Sequence, residues 1–181
     1  MSLRQVKTYK SNPEFIQKSV NLKWKIPLMT NLVELEKNKT LFNKTEYLSL
    51  YQQYKEQEIY DSATWEERKI LAPLLDYYFD NNNTLVLIFP RFEPLVEEDG
   101  EFRFSEEEII SILQEKLCKK GLSDEEVGHF IQQVINFCED FDINEDDCLL
   151  NLNNIGWSNT FGPRIIDWGL TNSICREYYN G

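Results

Sequence analysis

The most specific stretch of this sequence is NNIGWSNTFGPRIIDWGL, residues 153–170. A polar turn in its middle separates two apolar runs. The sequence therefore predicts two short strands, 149–157 and 163–169, that pair as a hairpin.

Two helices precede this hairpin, and the sequence marks where each begins. Ser105 with Glu108, and Ser123 with Glu126, have the spacing of a capping box, in which a hydroxyl and a carboxylate satisfy the first backbone N–H groups. The first helix is expected to end at 119–121, because two lysines and a glycine suit the C-terminal end of a helix.

The N-terminal part of the chain combines strand and helix patterns. Alternating apolar and polar residues predict a strand at 20–26, and a second β-like run follows at 32–35. Apolar residues spaced three and four apart then predict a helix over 43–62, with one face turned to the core.

A short helix and a second hairpin are predicted next. Thr64 and Glu67 form another capping-box pattern, which predicts a helix at 65–71 ahead of a proline. Two apolar runs, 74–79 and 85–89, flank a turn rich in asparagine, whose side chains tolerate a positive φ. The sequence therefore predicts a β-hairpin here.

Composition describes a folded, acidic protein. Hydrophobic residues make up 41% of the 181 residues, which is enough for a core. The 31 Asp and Glu residues outnumber the 19 Lys and Arg residues, giving a net charge of -12. This charge repels phosphate backbones and anionic lipids, so we expect neither a nucleic-acid nor a membrane partner.

Location and cysteine chemistry follow from the same composition. No apolar window approaches the length of a membrane span, and the first residues lack a signal-peptide core, so a cytoplasmic protein is expected. The four cysteines are widely spaced and only one histidine is present, which favours reduced core thiols over a zinc site. Together these patterns predict a single α+β domain, 1–181, with a small antiparallel sheet and a helix N-terminally and a mainly helical C-terminal half.

The hairpin residues also carry a resemblance. Asn154, and Asp167 followed by Trp168 and Gly169, resemble the catalytic-loop asparagine and the Asp-aromatic-Gly motif of protein-kinase-like and aminoglycoside-phosphotransferase-like folds. In that family these side chains present oxygens to magnesium ions that bridge the nucleotide phosphates. The resemblance implies a reduced kinase-like fold with Asn154 and Asp167 as metal ligands.

The resemblance implies nucleotide-binding residues as well. In the family, a helical glutamate pairs with a strand lysine that holds nucleotide phosphates. Glu56 is the best match for the glutamate, with Glu58 as the alternative. Lys25, on the predicted 20–26 strand, is the candidate for the lysine.

The same resemblance divides the chain. Residues 1–89 match an N-lobe-like part, 90–94 a hinge-like connector, and 95–181 a truncated C-lobe-like part, which begins with a charged loop at 97–100.

Other parts of the family's active site are absent from the sequence. Leu149 stands five positions before Asn154, where the family has its catalytic aspartate, and leucine cannot orient or deprotonate a hydroxyl. Asp147 or Asp146 can substitute only through a longer loop. No glycine precedes Gly100, so a glycine-rich phosphate loop is missing from its usual place.

Two functional hypotheses follow. The leading one is a non-catalytic interaction or regulatory protein, a small pseudokinase that binds an unknown protein partner without a cofactor, as an accessory protein of a phage or mobile element would. The alternative is an enzyme, a small magnesium- and ATP-dependent phosphotransferase with Asn154 and Asp167 on the metal and Asp147 as base. A simpler interpretation also stays open, in which the hairpin is an ordinary buried one and Asp167 caps a turn.

Overall fold

The computed structural model of the chain describes residues 2–96 and 104–179. It shows an α+β protein with a four-stranded antiparallel sheet towards the N-terminus and a mainly helical C-terminal half, which confirms the predicted fold class. The chain divides into two compact units. The first unit contains 1–63 and 73–91, and the second contains 64–72 and 92–181. The predicted charged loop at 97–100 lies outside the described residues.

The first unit is built on the four-stranded sheet. Its strands follow the order β1-β2-β4-β3, and every neighbouring pair is antiparallel. Residues 85–89 of the central strand β4 are all buried, which agrees with their uninterrupted apolar sequence. The β3–β4 hairpin is confirmed, and Asn83 in its turn adopts a φ of 62°. The strands span β1 (Arg4–Tyr9), β2 (Asn12–Val20), β3 (Asp76–Phe79) and β4 (Leu85–Pro90).

Two helices complete the first unit, α1 (Leu32–Lys37) and α2 (Lys44–Ser62). Helix α2 confirms the helix predicted at 43–62, and a capping box of Asn43 and Glu46 fixes its first turn. It lies against the sheet, where the buried Gln53 amide donates to two strand carbonyls, that of Lys18 at 2.7 Å and that of Leu85 at 3.0 Å.

The strand predicted at 20–26 is wrong, because β2 ends at Val20 and the following segment is irregular. Hydrogen bonds from the β3–β4 turn hold this segment instead. The Asn82 amide donates to the Leu22 carbonyl at 3.0 Å, and the Asn83 amide donates to the Ile26 carbonyl at 2.8 Å. The alternating apolar residues therefore belong to a loop held by side-chain hydrogen bonds. These bonds join residues about 60 positions apart, which a local sequence pattern does not reveal.

The β-like run predicted at 32–35 is also wrong, since these residues begin helix α1. The Asn31 side chain accepts a hydrogen bond from the Glu34 backbone N–H at 2.9 Å and caps this helix. The cap therefore outweighs the β propensity of the short apolar run.

The second unit holds five helices among the residues described, together with a small three-stranded sheet of order β5-β6-β7. The capping boxes predicted at three helix starts are confirmed. In each, the N-cap side chain accepts from the backbone N–H of the glutamate, and the glutamate side chain accepts from the backbone N–H of the N-cap residue. Gly121 ends α4 with a φ of 102°, a conformation that favours glycine. The elements are α3 (Trp65–Arg68), β5 (Glu93–Pro94), α4 (Glu106–Lys119), α5 (Asp124–Asp140), α6 (Glu145–Cys148), β6 (Ile155–Ser158), β7 (Gly162–Ile165) and α7 (Asn172–Tyr178).

The hairpin predicted from strands 149–157 and 163–169 is present, but its strands are shorter than predicted. Strands β6 and β7 pair antiparallel, whereas residues 149–154 continue from α6 into a 3₁₀ helix, Leu152–Asn154. Two asparagine side chains explain the difference, because Asn144 caps α6 and Asn151 caps the 3₁₀ helix. Backbone capping therefore competes with strand formation in this loop.

The short helix predicted at 65–71 ends earlier, at Arg68. The residues after it form backbone hydrogen bonds with strand β7 instead. Ile165 donates to the Ile70 carbonyl at 2.7 Å, and Ala72 donates to the Ile165 carbonyl at 2.9 Å.

Two further expectations concern the membrane and the thiols. None of the helices in the described part of the chain combines the length and the apolar character needed to cross a membrane. All four cysteines are free thiols, and Cys138 and Cys148 are buried, while Cys118 and Cys175 are partly exposed.

Candidate functional site

The first unit contains a buried ion cluster centred on Glu56. This carboxylate lies on α2 with a side-chain exposure of 0%, and its Oε1 accepts a hydrogen bond from Lys18 Nζ at 2.5 Å. Arg4 Nη2 donates to the other oxygen, Oε2. A buried carboxylate is stable only with such partners, since isolated charges are costly to remove from water. We call Arg4, Lys18, Gln53 and Glu56 the Glu56 cluster.

Backbone periodicity brings the members of this cluster together. Lys18 lies between Ile16 and Val20 on one face of β2, and Gln53 and Glu56 are three positions apart on one face of α2. Arg4 Nε donates to Gln53 Oε1 at 3.1 Å, so β1 also joins the cluster. The Lys18 ammonium lies 4.9 Å from the centre of the Phe89 ring, a cation–π distance.

The lysine that pairs with Glu56 is not the one expected from the sequence. Lys25 is exposed and belongs to the irregular segment after β2, so its predicted place on a strand is wrong. Lys18 is the strand lysine that pairs with Glu56. Lys18 was not among the residues predicted from the sequence, although a lysine on the same strand face as Ile16 and Val20 can indicate a buried charge. A role of Lys25 or Glu56 in nucleotide binding stays a prediction.

The second unit contains the other predicted residues, and Asn154 is central to them. This residue ends the 3₁₀ helix and is partly buried, and its Nδ2 donates to the backbone carbonyl of Asp147 at 2.7 Å. Its own backbone carbonyl accepts from the Ile166 N–H at 2.8 Å. Asn154 therefore ties the α6 loop to the hairpin strand that leads to Asp167.

Asp147 and Asp167 lie close to a common neighbour, the buried thiol of Cys148. The pKa of this thiol is raised well above its usual value, first by its hydrogen bond with Cys138 and next by burial. The negative charges of Asp147 and Asp167 contribute to the same rise. The structure therefore brings Asp147, Asn154 and Asp167 into one neighbourhood of the second unit, which we call the Asp147 loop.

Leu149 occupies the position where the resemblance requires a catalytic aspartate. Its side chain is 1% exposed and belongs to the core of the second unit. Of its two neighbours along the chain, Cys148 is also buried, whereas Leu150 is partly exposed. An aspartate at 149 would therefore place a carboxylate in the core, where an unpaired charge is costly.

The oxygens of Asn154 and Asp167 are of the type that magnesium prefers. Within residues 2–96 and 104–179, no three His, Cys, Asp or Glu side chains converge in a group that would hold a metal ion. The Asn154 amide group is engaged with the Asp147 carbonyl, which leaves its Oδ1 as the atom that can face a cation. Binding of magnesium by Asn154 and Asp167 therefore stays a prediction.

A scan of the sequence against protein-family models finds no matching family, and a search of curated proteins finds no significant match. The kinase-like resemblance therefore rests on the sequence itself, most specifically on the Asn154 and Asp167 motif, and it stays a prediction.

Proposed function

We propose that this chain is a non-catalytic interaction or regulatory protein on a reduced kinase-like scaffold. The carrying observation is Leu149, a core residue at the position where phosphotransfer would need an acid. General-base chemistry needs a carboxylate within hydrogen-bond reach of the attacking hydroxyl, and a buried leucine offers none. In this proposal the scaffold serves to bind a partner, and that partner is a protein.

The arrangement of the Asp147 loop supports this proposal. The Asn154 side chain serves as a structural tie, since its amide holds the carbonyl of Asp147. The Asp147 backbone N–H in turn donates to the Asn144 side chain at 3.1 Å, which fixes the start of α6. These contacts give the polar residues of the loop a role in local folding that needs no ligand.

Nucleotide-dependent stabilisation and turnover test the proposal. A ligand at about a hundred times its dissociation constant raises the free energy of unfolding by about 2.7 kcal/mol. We expect no shift in the melting temperature when ATP and magnesium are added, and no release of phosphate above a protein-free control. A shift that requires both ATP and magnesium would reject the proposal.

One observation favours the second candidate, a small magnesium- and ATP-dependent phosphotransferase. The Lys18–Glu56 ion pair is the pairing that the resemblance implies for a lysine that holds nucleotide phosphates. In this candidate Asn154 and Asp167 would hold magnesium and Asp147 would accept the proton of the attacking hydroxyl. It requires ATP turnover by the wild type that is lost in Asp147→Asn and retained in Asp146→Asn, a neighbouring acid on the same helix.

A further inference from the structure

Strand β1 forms one edge of the four-stranded sheet, and within residues 2–96 and 104–179 it pairs with β2 alone. Leu3 and Asn21 are a hydrogen-bonded pair, because the Asn21 N–H donates to the Leu3 carbonyl at 2.9 Å, and the register continues unbroken from there to Thr8. Hydrogen-bonded and non-bonded pairs alternate along an antiparallel ladder. The backbone groups that point away from β2 therefore belong to alternate residues, Arg4, Val6 and Thr8.

Val6 lies at the centre of this edge and is open to solvent. Its side chain is 61% exposed, and none of the described residues is hydrogen-bonded to its outward N–H or carbonyl. The Arg4 N–H, which also points outward, donates to the Ser2 hydroxyl at 3.2 Å instead of to β2. An edge strand with outward-facing backbone groups is a template on which another strand can pair.

The side chains of β1 indicate which strand fits this edge. If β1 pairs antiparallel with its own copy about a twofold axis at Val6, Arg4 lies opposite Thr8 and Val6 lies opposite Val6. Gln5 then lies opposite Lys7, so no like charges face each other. An axis at Lys7 would place two lysines directly opposite, and an axis at Gln5 would leave Thr8 without a partner within β1. The sequence of β1 therefore suits self-pairing in the register centred on Val6.

We propose that two copies of this chain associate through β1, antiparallel and about Val6, and form one continuous sheet across both copies. The exposed Val6 side chains pack against each other, and the outward backbone groups hydrogen-bond between the copies. Lys7 restricts the register, because a shift of the axis onto it brings two ammonium groups together. Self-association at β1 goes beyond the proposed function and does not depend on it.

Sedimentation equilibrium of the full chain tests this association at about 10–500 µM, since a single pair of strands makes a small interface that binds weakly. We expect a reversible equilibrium between monomer and dimer. Val6→Pro removes an N–H that points away from β2, so it spares the β1–β2 ladder and should weaken dimerisation by about tenfold or more. Val6→Ala is the matched control, because it keeps the N–H and should weaken dimerisation less.

The charge opposite Lys7 tests the register. Gln5→Glu places a carboxylate opposite Lys7 on both sides of the twofold axis and should strengthen dimerisation by about three- to tenfold, whereas Gln5→Lys should weaken it by a similar factor. The net charge of -12 favours the opposite order, because an added carboxylate increases the general repulsion between copies. Adding Lys7→Glu to Gln5→Lys exchanges the two charges and should restore dimerisation.

Three results would overturn the proposal: a monomer at every concentration, a dimer that Val6→Pro leaves intact, or equal effects of Gln5→Glu and Gln5→Lys. Circular dichroism checks that each variant is folded. If Val6→Pro unfolds the chain, the Gln5 variants decide, because their side chain lies on the face of β1 away from Val6 and the Glu56 cluster.

Discussion

The two units differ in their net charge and in how deeply their charged side chains are buried. Of the 19 Lys and Arg and 31 Asp and Glu residues, the first unit holds 11 and 9, and the second holds 8 and 22. The first unit is nearly neutral and buries a carboxylate, Glu56, with a lysine that is 6% exposed. The second unit is strongly acidic, and it keeps Asp147 and Asp167 partly exposed.

This difference predicts which of these polar and charged residues contribute most to the stability of the fold. A buried, paired charge cannot be changed without leaving its partners uncompensated, so it contributes directly to the stability of the fold. Partly exposed polar groups can turn to water when a partner is lost, so their removal costs less. Substitutions in the Glu56 cluster should therefore cost more than substitutions in the Asp147 loop.

The largest effect is expected for Glu56→Ala. The change leaves Lys18 and Arg4 without their shared carboxylate in the interior and should lower the free energy of unfolding by about 3–5 kcal/mol. Urea denaturation measures it. Glu58→Ala is the control, because that side chain is 44% exposed in its pair with Lys55 and should cost less than about 1 kcal/mol. Equal losses for both variants would contradict the claim that burial makes the Glu56 pairing important for stability.

Gly156→Ala tests close packing in the second unit. A Cβ at this position would lie 2.7 Å from Phe92 Cβ and 3.0 Å from Ile166 Cγ2, so we expect a loss of about 1–3 kcal/mol. Gly128→Ala is the matched control in helix α5, where an added Cβ meets nothing within 4 Å. It should stabilise the protein by about 0.5–1 kcal/mol, because glycine disfavours a helix interior. Urea denaturation measures the change in the free energy of unfolding for both variants. If both variants are destabilised, crowding by the added Cβ does not explain the loss at Gly156.

Asn154→Ala tests the structural tie of the Asp147 loop. Removing the amide that donates to the Asp147 carbonyl should lower the free energy of unfolding by about 1 kcal/mol. Asn153→Ala changes the exposed neighbour and should alter stability by less than about 0.5 kcal/mol. A loss for Asn154→Ala as large as that for Glu56→Ala would erase the difference between the units.

The smallest effect is a pH dependence at the start of α5. The Ser123 backbone N–H, which donates to Glu126 Oε2 at 2.7 Å, lowers the pKa of Glu126 below its usual value. A carboxyl with a lowered pKa in the folded state adds stability above its unfolded pKa, and this contribution disappears as the pH falls through the folded pKa. We therefore expect the wild type to be more stable than Glu126→Gln at neutral pH, and the difference to vanish in acid. Melting curves between neutral pH and pH of about 3 measure this trend, and a difference that grows in acid would contradict it.

Local signals predicted the helix starts better than the strands. The capping boxes at Thr64, Ser105 and Ser123 depend on residues three apart, and all three are present in the structure. The 20–26 segment depends instead on hydrogen bonds from Asn82 and Asn83, which are distant in sequence. Long-range pairing is not encoded in local periodicity, so this segment was misassigned.

The candidate site shows the same limit. The resemblance singled out Glu56, but its partner Lys18 lies on β2, which precedes the strand predicted at 20–26. The hydrogen bond between Asn154 and Asp147 was also missed, because it depends on a capped loop between α6 and the hairpin. The ion-pair and hydrogen-bond partners of these residues therefore required the fold, and their roles in a site stay predictions.

Isothermal titration calorimetry of ATP in the presence of magnesium distinguishes the two candidate functions, with EDTA and Asp167→Asn as controls. The proposal that the scaffold binds a protein without nucleotide chemistry predicts no magnesium-dependent heat of ATP binding in the wild type. It also predicts a lower melting temperature for Asp167→Asn in the absence of nucleotide. Micromolar ATP binding that requires magnesium and is lost in Asp167→Asn would contradict it and favour the phosphotransferase.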